Sequence, residues 1–541
     1  MKNLMTVAAT LILAALQAVG QTPDFKALRG QYNWRLPEES FHDDTVVIRG
    51  RITNYNPATS GFSTMQCYSF NLFESQTAAT IAINQDGSFE KKIHLSYPVV
   101  NEFAAYTDNG VFLIPFIAYP GDTVDVTATI NNGALMCTYN SERCQHFERL
   151  LPYPNQWSRF AAPALYKYNG TFDDFATAAE DLWNKVLTKV LNDANQAKFN
   201  DEEMGLALVL AQSNYGYGLF NGLDELSLLP YEKRFEGQYM YLTLKDTLLL
   251  ERMKNPDNYK YLTHIDFNDL SIFCANNLRT TLNRIEFGGL LPYDTRKNID
   301  GFFPPQGIKN SIKFFQRADS LLQKALFTKG SSPIAQMVMY KDLLFFIDEA
   351  WTYMPTDSIK DIRDKILPVF TFAPIKRKTE MLFANRLADT EITLPLKKCN
   401  ATAFIDSLRQ VYPGKYLYID FWAMSCGPCR MAIEASKDLR KEIANNPDIK
   451  LVFVNGDNPD DSQMRKYVAK HLADEVTVAP GESVFATLRD VFNFDGIPHF
   501  EVITPDGQVV KGRYIKFGLR QSFDYNNFKF EFDKLKTLIS Q

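Results

Sequence analysis

Cysteine is scarce in this chain, at seven in 541 residues, and an odd number spread over the whole length excludes a scaffold stapled by disulfides. Histidine is scarcer still, at six. Without an HxxxH pair or a second CxxC, no four-ligand zinc site is written in the sequence. A glycine-rich phosphate loop and a haem-attaching CxxCH are both missing, so no cofactor is expected. Charge imbalance is slight, since 58 basic and 63 acidic residues leave a net charge of −5. With no Lys/Arg run either, a nucleic-acid partner is not expected. Past the N-terminus no segment reaches the ~20 uninterrupted apolar residues needed to cross a bilayer, so no stable membrane insertion is expected.

What is present is an ordinary globular composition, 45% hydrophobic and 22% charged, in a chain too long for one core. Its length predicts about three or four domains. Met1 to Gly20 carries one lysine, an apolar stretch from Leu4 to Leu16, and small residues at Ala18 and Gly20. This pattern reads as a secretory signal peptide (1–20) cleaved near Gly20, which predicts a soluble periplasmic protein. No cysteine follows the small residues, so a lipid-modified N-terminus is not expected.

Residues 21–142 read as an antiparallel β-sandwich module. Thr45–Ile48, Thr80–Ile83 and Thr123–Ile130 are β-prone runs, separated by the turn signals Asp86-Gly87, Asn109-Gly110 and Pro120-Gly121-Asp122. Residues 143–385 read as an all-α domain. Phe175, Ala179, Leu182, Val186 and Val190 recur at helical spacing, and Ser332-Pro333 is a cap followed by a first-turn proline that starts a new helix. Neither region shows a catalytic constellation, and a docking or spacer role is the default for the first. Cys67, Cys137, Cys144, Cys274 and Cys399 are expected as free thiols, with a small Cys137–Cys144 loop as the alternative.

Chemistry enters between 386 and 541. Tyr416–Phe421 is a short β-prone run; Trp422-Ala-Met-Ser-Cys426-Gly-Pro-Cys429-Arg430 follows it; and Ile433, Leu439 and Ile443 then repeat at helical spacing. Two cysteines at a strand-to-helix corner form a dithiol. Unpaired N–H groups of the first helical turn stabilise a thiolate on Cys426, the candidate nucleophile. Cys429, one turn further in, is placed to attack a mixed disulfide at Cys426. The rival readings are half a zinc site or two inert buried thiols. A strand–helix–strand–helix–hairpin–helix order through 541 predicts a mixed sheet with helices on both faces, an α/β fold.

At these residues the sequence resembles the thioredoxin fold, and in particular the TlpA/ResA-like thiol-disulfide oxidoreductases of the bacterial envelope. The match extends to Asp420 and Trp422 before the cysteines, to Gly496-Ile497-Pro498, and to the strand-turn-strand from Phe500 to Val510. It covers the last third of the chain. The resemblance implies that Asp420 is a buried proton acceptor for Cys429, that Trp422 lies beside the dithiol, and that Pro498 follows a cis bond. Trp422, Ile497 and Pro498 are the expected client-binding residues. Burial is expected to raise the Asp420 pKa toward the working range. The sequence departs from the family pattern at Met424-Ser425, at Glu434 in place of a proline, and at His499 in place of a threonine. The β-rich module resembles those that precede such domains in envelope proteins of the Bacteroidetes. The implied activity is disulfide exchange with disulfide-bearing envelope proteins, as reductase or isomerase, recharged by a membrane electron donor. The alternative is a non-catalytic envelope binding or scaffold protein with a vestigial redox domain.

Overall fold

Alternation of β-branched and polar residues builds the first part of the fold. The computed structural model describes residues 25–227, 255–287 and 308–540, apart from 75–76, 108–109, 132, 166–167, 169, 349–350, 353, 390, 495 and 520–523. The expected leader at 1–20 and the turn residue Asn109 lie outside the described residues. Strands β1 (Asp44–Thr53), β2 (Thr64–Tyr68), β3 (Ala78–Ala82), β4 (Ser88–Leu95), β5 (Val99–Thr107), β6 (Gly110–Ala118), β7 (Thr123–Asn131) and β8 (Ala134–Tyr139) form two four-stranded sheets. Their orders are β4-β1-β7-β8 and β3-β2-β5-β6. Val46, Ile48, Val124, Val126 and Ala128 are buried while their neighbours face outward, the period of a half-buried sheet. One pairing departs from the antiparallel expectation. β1 and β7 run parallel, which the long excursion of chain between them permits. Gly87 holds the Asp86-Gly87 turn at φ +79°, where an added Cβ would lie 2.2 Å from the Ile52 carbonyl oxygen.

Helices follow where the apolar period changes. α1 (Phe172–Ala197) buries Phe175, Ala179, Leu182, Val186 and Val190 on one face, and its N-cap Thr171 accepts from the Asp174 N–H at 3.2 Å. α1 packs against α2 (Asp201–Ser227). α3 (Ile308–Ala325) and α4 (Pro333–Asp348) fold back on each other, and Ser332 Oγ accepts from the Ala335 N–H at 2.9 Å. α5 (Ala373–Ala388) closes this part. Sheets and helices share one contiguous apolar core from Phe25 to Phe383.

The C-terminal part has a core of its own on each face of a six-stranded mixed sheet. Its strands are β9 (Thr393–Pro395), β10 (Tyr416–Trp422), β11 (Ile449–Asn455), β12 (Val476–Val478), β13 (His499–Ile503) and β14 (Gln508–Val510), in the order β12-β11-β10-β13-β14-β9. β10 to β12 are parallel and β13 is antiparallel to β10. Every residue of β10 is buried because helices cover both faces. These are α6 (Ala403–Val411), α7 (Gly427–Ala435), α8 (Lys437–Ala444), α9 (Ser462–His471), α10 (Glu482–Val491) and α11 (Tyr525–Ile539).

The single helical pattern expected from Arg430 to Ile443 is two helices, broken at Ser436. No proline causes the break. The buried Arg440 guanidinium donates to the carbonyls of Ile433 (3.2 Å) and His471 (3.0 Å) and pairs with Glu475 at 3.1 Å. It thereby satisfies a carbonyl that a continuous helix would have used. The second strand of the hairpin ends at Val510, and Gly512–Tyr514 turns into a short 3₁₀ segment.

Candidate active site

Cys426 occupies the N-cap of α7, outside the helix proper at φ −86° and ψ 95°. Its Sγ accepts from the Cys429 N–H at 3.2 Å, so the sulfur takes up one of the donors that a helix start leaves unpaired. Pro428 in the first turn forgoes an N–H that would have had no intrahelical partner. Cys426 and Cys429 are joined as a disulfide. Cys426 is 8% exposed and Cys429 only 1%, and Ser425 and Pro428 on either side of Cys426 are exposed. The outer sulfur is therefore that of Cys426.

The loop carrying Cys426 is tied down by residues that the sequence patterns did not single out. Met424 N–H donates to Asp457 Oδ2 at 2.7 Å, and Gly456 N–H donates to the Trp422 carbonyl at 2.9 Å. Asp457 is held in turn by the fully buried Asn455, whose amide donates to Asp457 Oδ2 at 2.9 Å and whose Oδ1 accepts from the Asp457 N–H at 2.9 Å. The available signal was Asn455-Gly-Asp457 at the end of a buried strand, a turn-forming sequence with two acceptor side chains.

Asp420, 3% exposed, stands between Tyr418 and Trp422 at two-residue spacing along β10, and those two share a core cluster with both cysteines. Strand geometry therefore places its carboxyl on the dithiol face of the sheet. Trp422 is fully buried, with its ring centre 5.4 Å from that of Tyr467. Trp422 is thus a packing side chain of the dithiol face. The Tyr467 hydroxyl lies 3.1 Å from both the Arg430 carbonyl and Glu434 Oε1. Burial first, then the Glu434 charge, pushes the Tyr467 phenol above its usual range.

Ile497–Pro498 is a cis peptide, and both residues are partly exposed. His499 lies opposite Phe421 in the β10–β13 register, on the far face of the sheet from the dithiol. There its Nε2 is 2.8 Å from Glu501 Oε1 and its ring stacks on Phe494 at 4.2 Å. His499 is a core-lining side chain of that face and does not reach the cysteines.

The remaining five cysteines are free thiols, so the Cys137–Cys144 loop is not closed. Burial pushes Cys137 up to about 12 and raises Cys67, Cys144 and Cys274 as well. Among the described residues no group of three or more His, Cys, Asp or Glu side chains is placed to hold a metal, and no helix is long and apolar enough to cross a membrane.

A mixed sheet wrapped by helices, with a CxxC pair at a strand-to-helix corner and a cis-proline leading into the strand paired with β10, defines a thioredoxin-like domain. Residues 414–509 match the family model described as thioredoxin-like. Among solved structures, the C-terminal part matches a candidate thiol-disulfide oxidoreductase from Bacteroides vulgatus, at 30% identity over 19% of this chain and 66% of that one, with a TM-score of 0.17. It also matches the thioredoxin domain of a second Bacteroides vulgatus thiol-disulfide oxidoreductase, at 17% identity over 23% of this chain and 81% of that one, with a TM-score of 0.18. A thioredoxin-like protein from Bacteroides caccae is 13% identical over 51% of this chain and 90% of that one, with a TM-score of 0.20. This chain thus spans just under two thirds of the first of these relatives. Comparison with curated proteins gives no match.

Proposed function

We propose that the protein is an exported TlpA/ResA-like thiol-disulfide oxidoreductase that acts in the periplasm on disulfide-bearing envelope proteins, as a reductase or isomerase. The observation that carries the reading is the Cys426 sulfur at the helix N-cap, accepting from the Cys429 N–H at 3.2 Å, with the less exposed Cys429 sulfur within bonding reach. In the reduced enzyme, the same N–H stabilises the Cys426 thiolate. That thiolate attacks one sulfur of a client disulfide; a Cys426–client S–S bond forms, the client S–S bond breaks, and a client thiolate leaves. Cys429, giving its proton to Asp420 on the same sheet face, then attacks the Cys426 sulfur. The mixed disulfide breaks, the Cys426–Cys429 bond forms, and the client has gained two electrons.

Ile497 and Pro498 present backbone to the extended client chain. A dithiol donor in the membrane restores the reduced pair, since an oxidising periplasm would otherwise leave it as the disulfide. The Gly-Pro dipeptide between the cysteines favours the reducing direction by its resemblance to the reducing thioredoxins. Insulin-disulfide reduction by wild type and Cys426→Ser tests the proposal. Turnover by the first and none by the second is expected; equal activity, or none in either, favours the non-catalytic scaffold reading.

A further inference from the structure

The sheets of the N-terminal part are fastened to one helix of the thioredoxin-like domain, α10, and α10 runs into the cis-proline loop. α10 packs across β3 and against β2. Three contacts hold it there. Thr80 Oγ1 donates to the Ala486 carbonyl at 3.0 Å. Lys91 Nζ lies 2.7 Å from Asp490 Oδ2, with both side chains only about one-fifth exposed. The Arg489 guanidinium stands 5.6 Å over the Tyr68 ring. These join strands of both sheets to successive turns of a single helix.

The far end of that helix is equally defined. Asn493 takes the left-handed conformation at φ +50°, and the Phe494 N–H returns to the Arg489 carbonyl at 3.0 Å, a helix stop that sets the direction of the next residues. Phe494, fully buried, has its ring 4.2 Å from that of His499 and 4.9 Å from that of Phe421. His499 is the residue after cis-Pro498, and Phe421 lies in the strand that leads to the dithiol. Arg489 serves both ends, since its guanidinium also stands 5.6 Å over the Phe494 ring.

We infer that the β-sandwich is a positioning element for the client-binding loop, acting through Lys91, Thr80 and Tyr68 on α10 and through Phe494 on Ile497-Pro498. The inference rests on the oxidoreductase reading above and gives the N-terminal module a part in it. Its contacts end on the far face of the sheet from the cysteines. The brace therefore governs how a polypeptide client docks, while the dithiol chemistry stays as it is.

The test is a charge-reversal cycle in the full chain, comprising Lys91→Glu, Asp490→Lys and the doubly reversed protein. Each is assayed with insulin and with hydroxyethyl disulfide, which has no peptide backbone to pair with the loop. Each single reversal is expected to raise KM for insulin about three- to tenfold, and the double reversal to restore it, as contacting charges couple in such cycles. Rates with hydroxyethyl disulfide and the midpoint potential of the dithiol are expected to stay at wild-type values. If a reversal prevents folding, Thr80→Val removes one hydroxyl and is read the same way. An unchanged insulin KM in every folded variant overturns the inference and leaves the oxidoreductase reading standing, as does an equal loss toward both disulfides. A wild type inactive toward both disulfides overturns the two together.

Discussion

The backbone N–H of Met424 donates to the carboxylate of Asp457 at 2.7 Å, tying the loop that presents the Cys426 sulfur to the end of the neighbouring strand. Asp457→Ala leaves that N–H without its acceptor, and bonds to charged groups are worth about 1.5–3 kcal/mol. We expect a lower melting temperature and slower insulin reduction for Asp457→Ala. Asp457→Asn keeps an oxygen in place and is expected to stay close to wild type in both. Equal behaviour of the two variants would show that the charge, and not the acceptor, matters.

Arg440 and Glu475 form a buried pair at the break between α7 and α8, with side chains 4% and 10% exposed. Removing one partner strands the other in a low dielectric, and Arg440→Ala is expected to cost about 3–5 kcal/mol. Faster hydrogen exchange across residues 427–444 would report it locally. The paired change Arg440→Leu with Glu475→Leu should recover much of the loss, because no unpaired charge remains.

The dithiol was legible in the sequence because its signal is local. Cys426-Gly-Pro-Cys429 sits between a β-prone run and a helical repeat; the strand forms as read and the repeat forms as helix, in two pieces. The strands near Thr45–Ile48, Thr80–Ile83 and Thr123–Ile130 were legible from β-propensity and turn residues, α1 from its period, and the start of α4 from Ser332-Pro333. What escaped depends on contacts between distant residues. Asp457 reaches the redox loop from 33 positions away, and Arg440 breaks a helix through carbonyls contributed partly by α9. The parallel β1–β7 pair was hidden for the same reason, since strand composition does not encode the partner's direction. The place of His499 on the far face of the sheet was not legible either, because a motif carries no information on which face its neighbours cover.

Thiol reactivity should divide the seven cysteines. Burial raises Cys67, Cys144 and Cys274 and pushes Cys137 up to about 12, so at neutral pH they carry almost no thiolate. After mild reduction of the native protein, brief iodoacetamide treatment is expected to label Cys426 while these four stay unmodified until denaturant is added. Mass spectrometry of the alkylated peptides reads the result. Labelling of Cys144 or Cys274 at the rate of Cys426 would contradict it.

Acid should loosen the junction between the helical part and the thioredoxin-like domain. Burial favours the neutral form of Asp389, but a hydrogen bond from Lys511 at 2.5 Å and the nearby Arg513 outweigh it and hold the carboxyl below its usual value of 3.8. A depressed pKa contributes stability that is complete above the unfolded-state value and is lost as pH falls through the folded one. Melting curves between about pH 5 and pH 2 should therefore show a steeper loss for wild type than for Asp389→Asn. Parallel curves would rule the carboxylate out as the cause.

The most direct measurement is the equilibrium of the Cys426–Cys429 pair against a graded series of reduced and oxidised glutathione, followed by alkylation and mass shift. A reducing dithiol predicts one two-electron transition with a midpoint near the ~−270 mV of thioredoxin. A pair that does not titrate, or a midpoint near the ~−120 mV of a strong oxidant, would contradict the account.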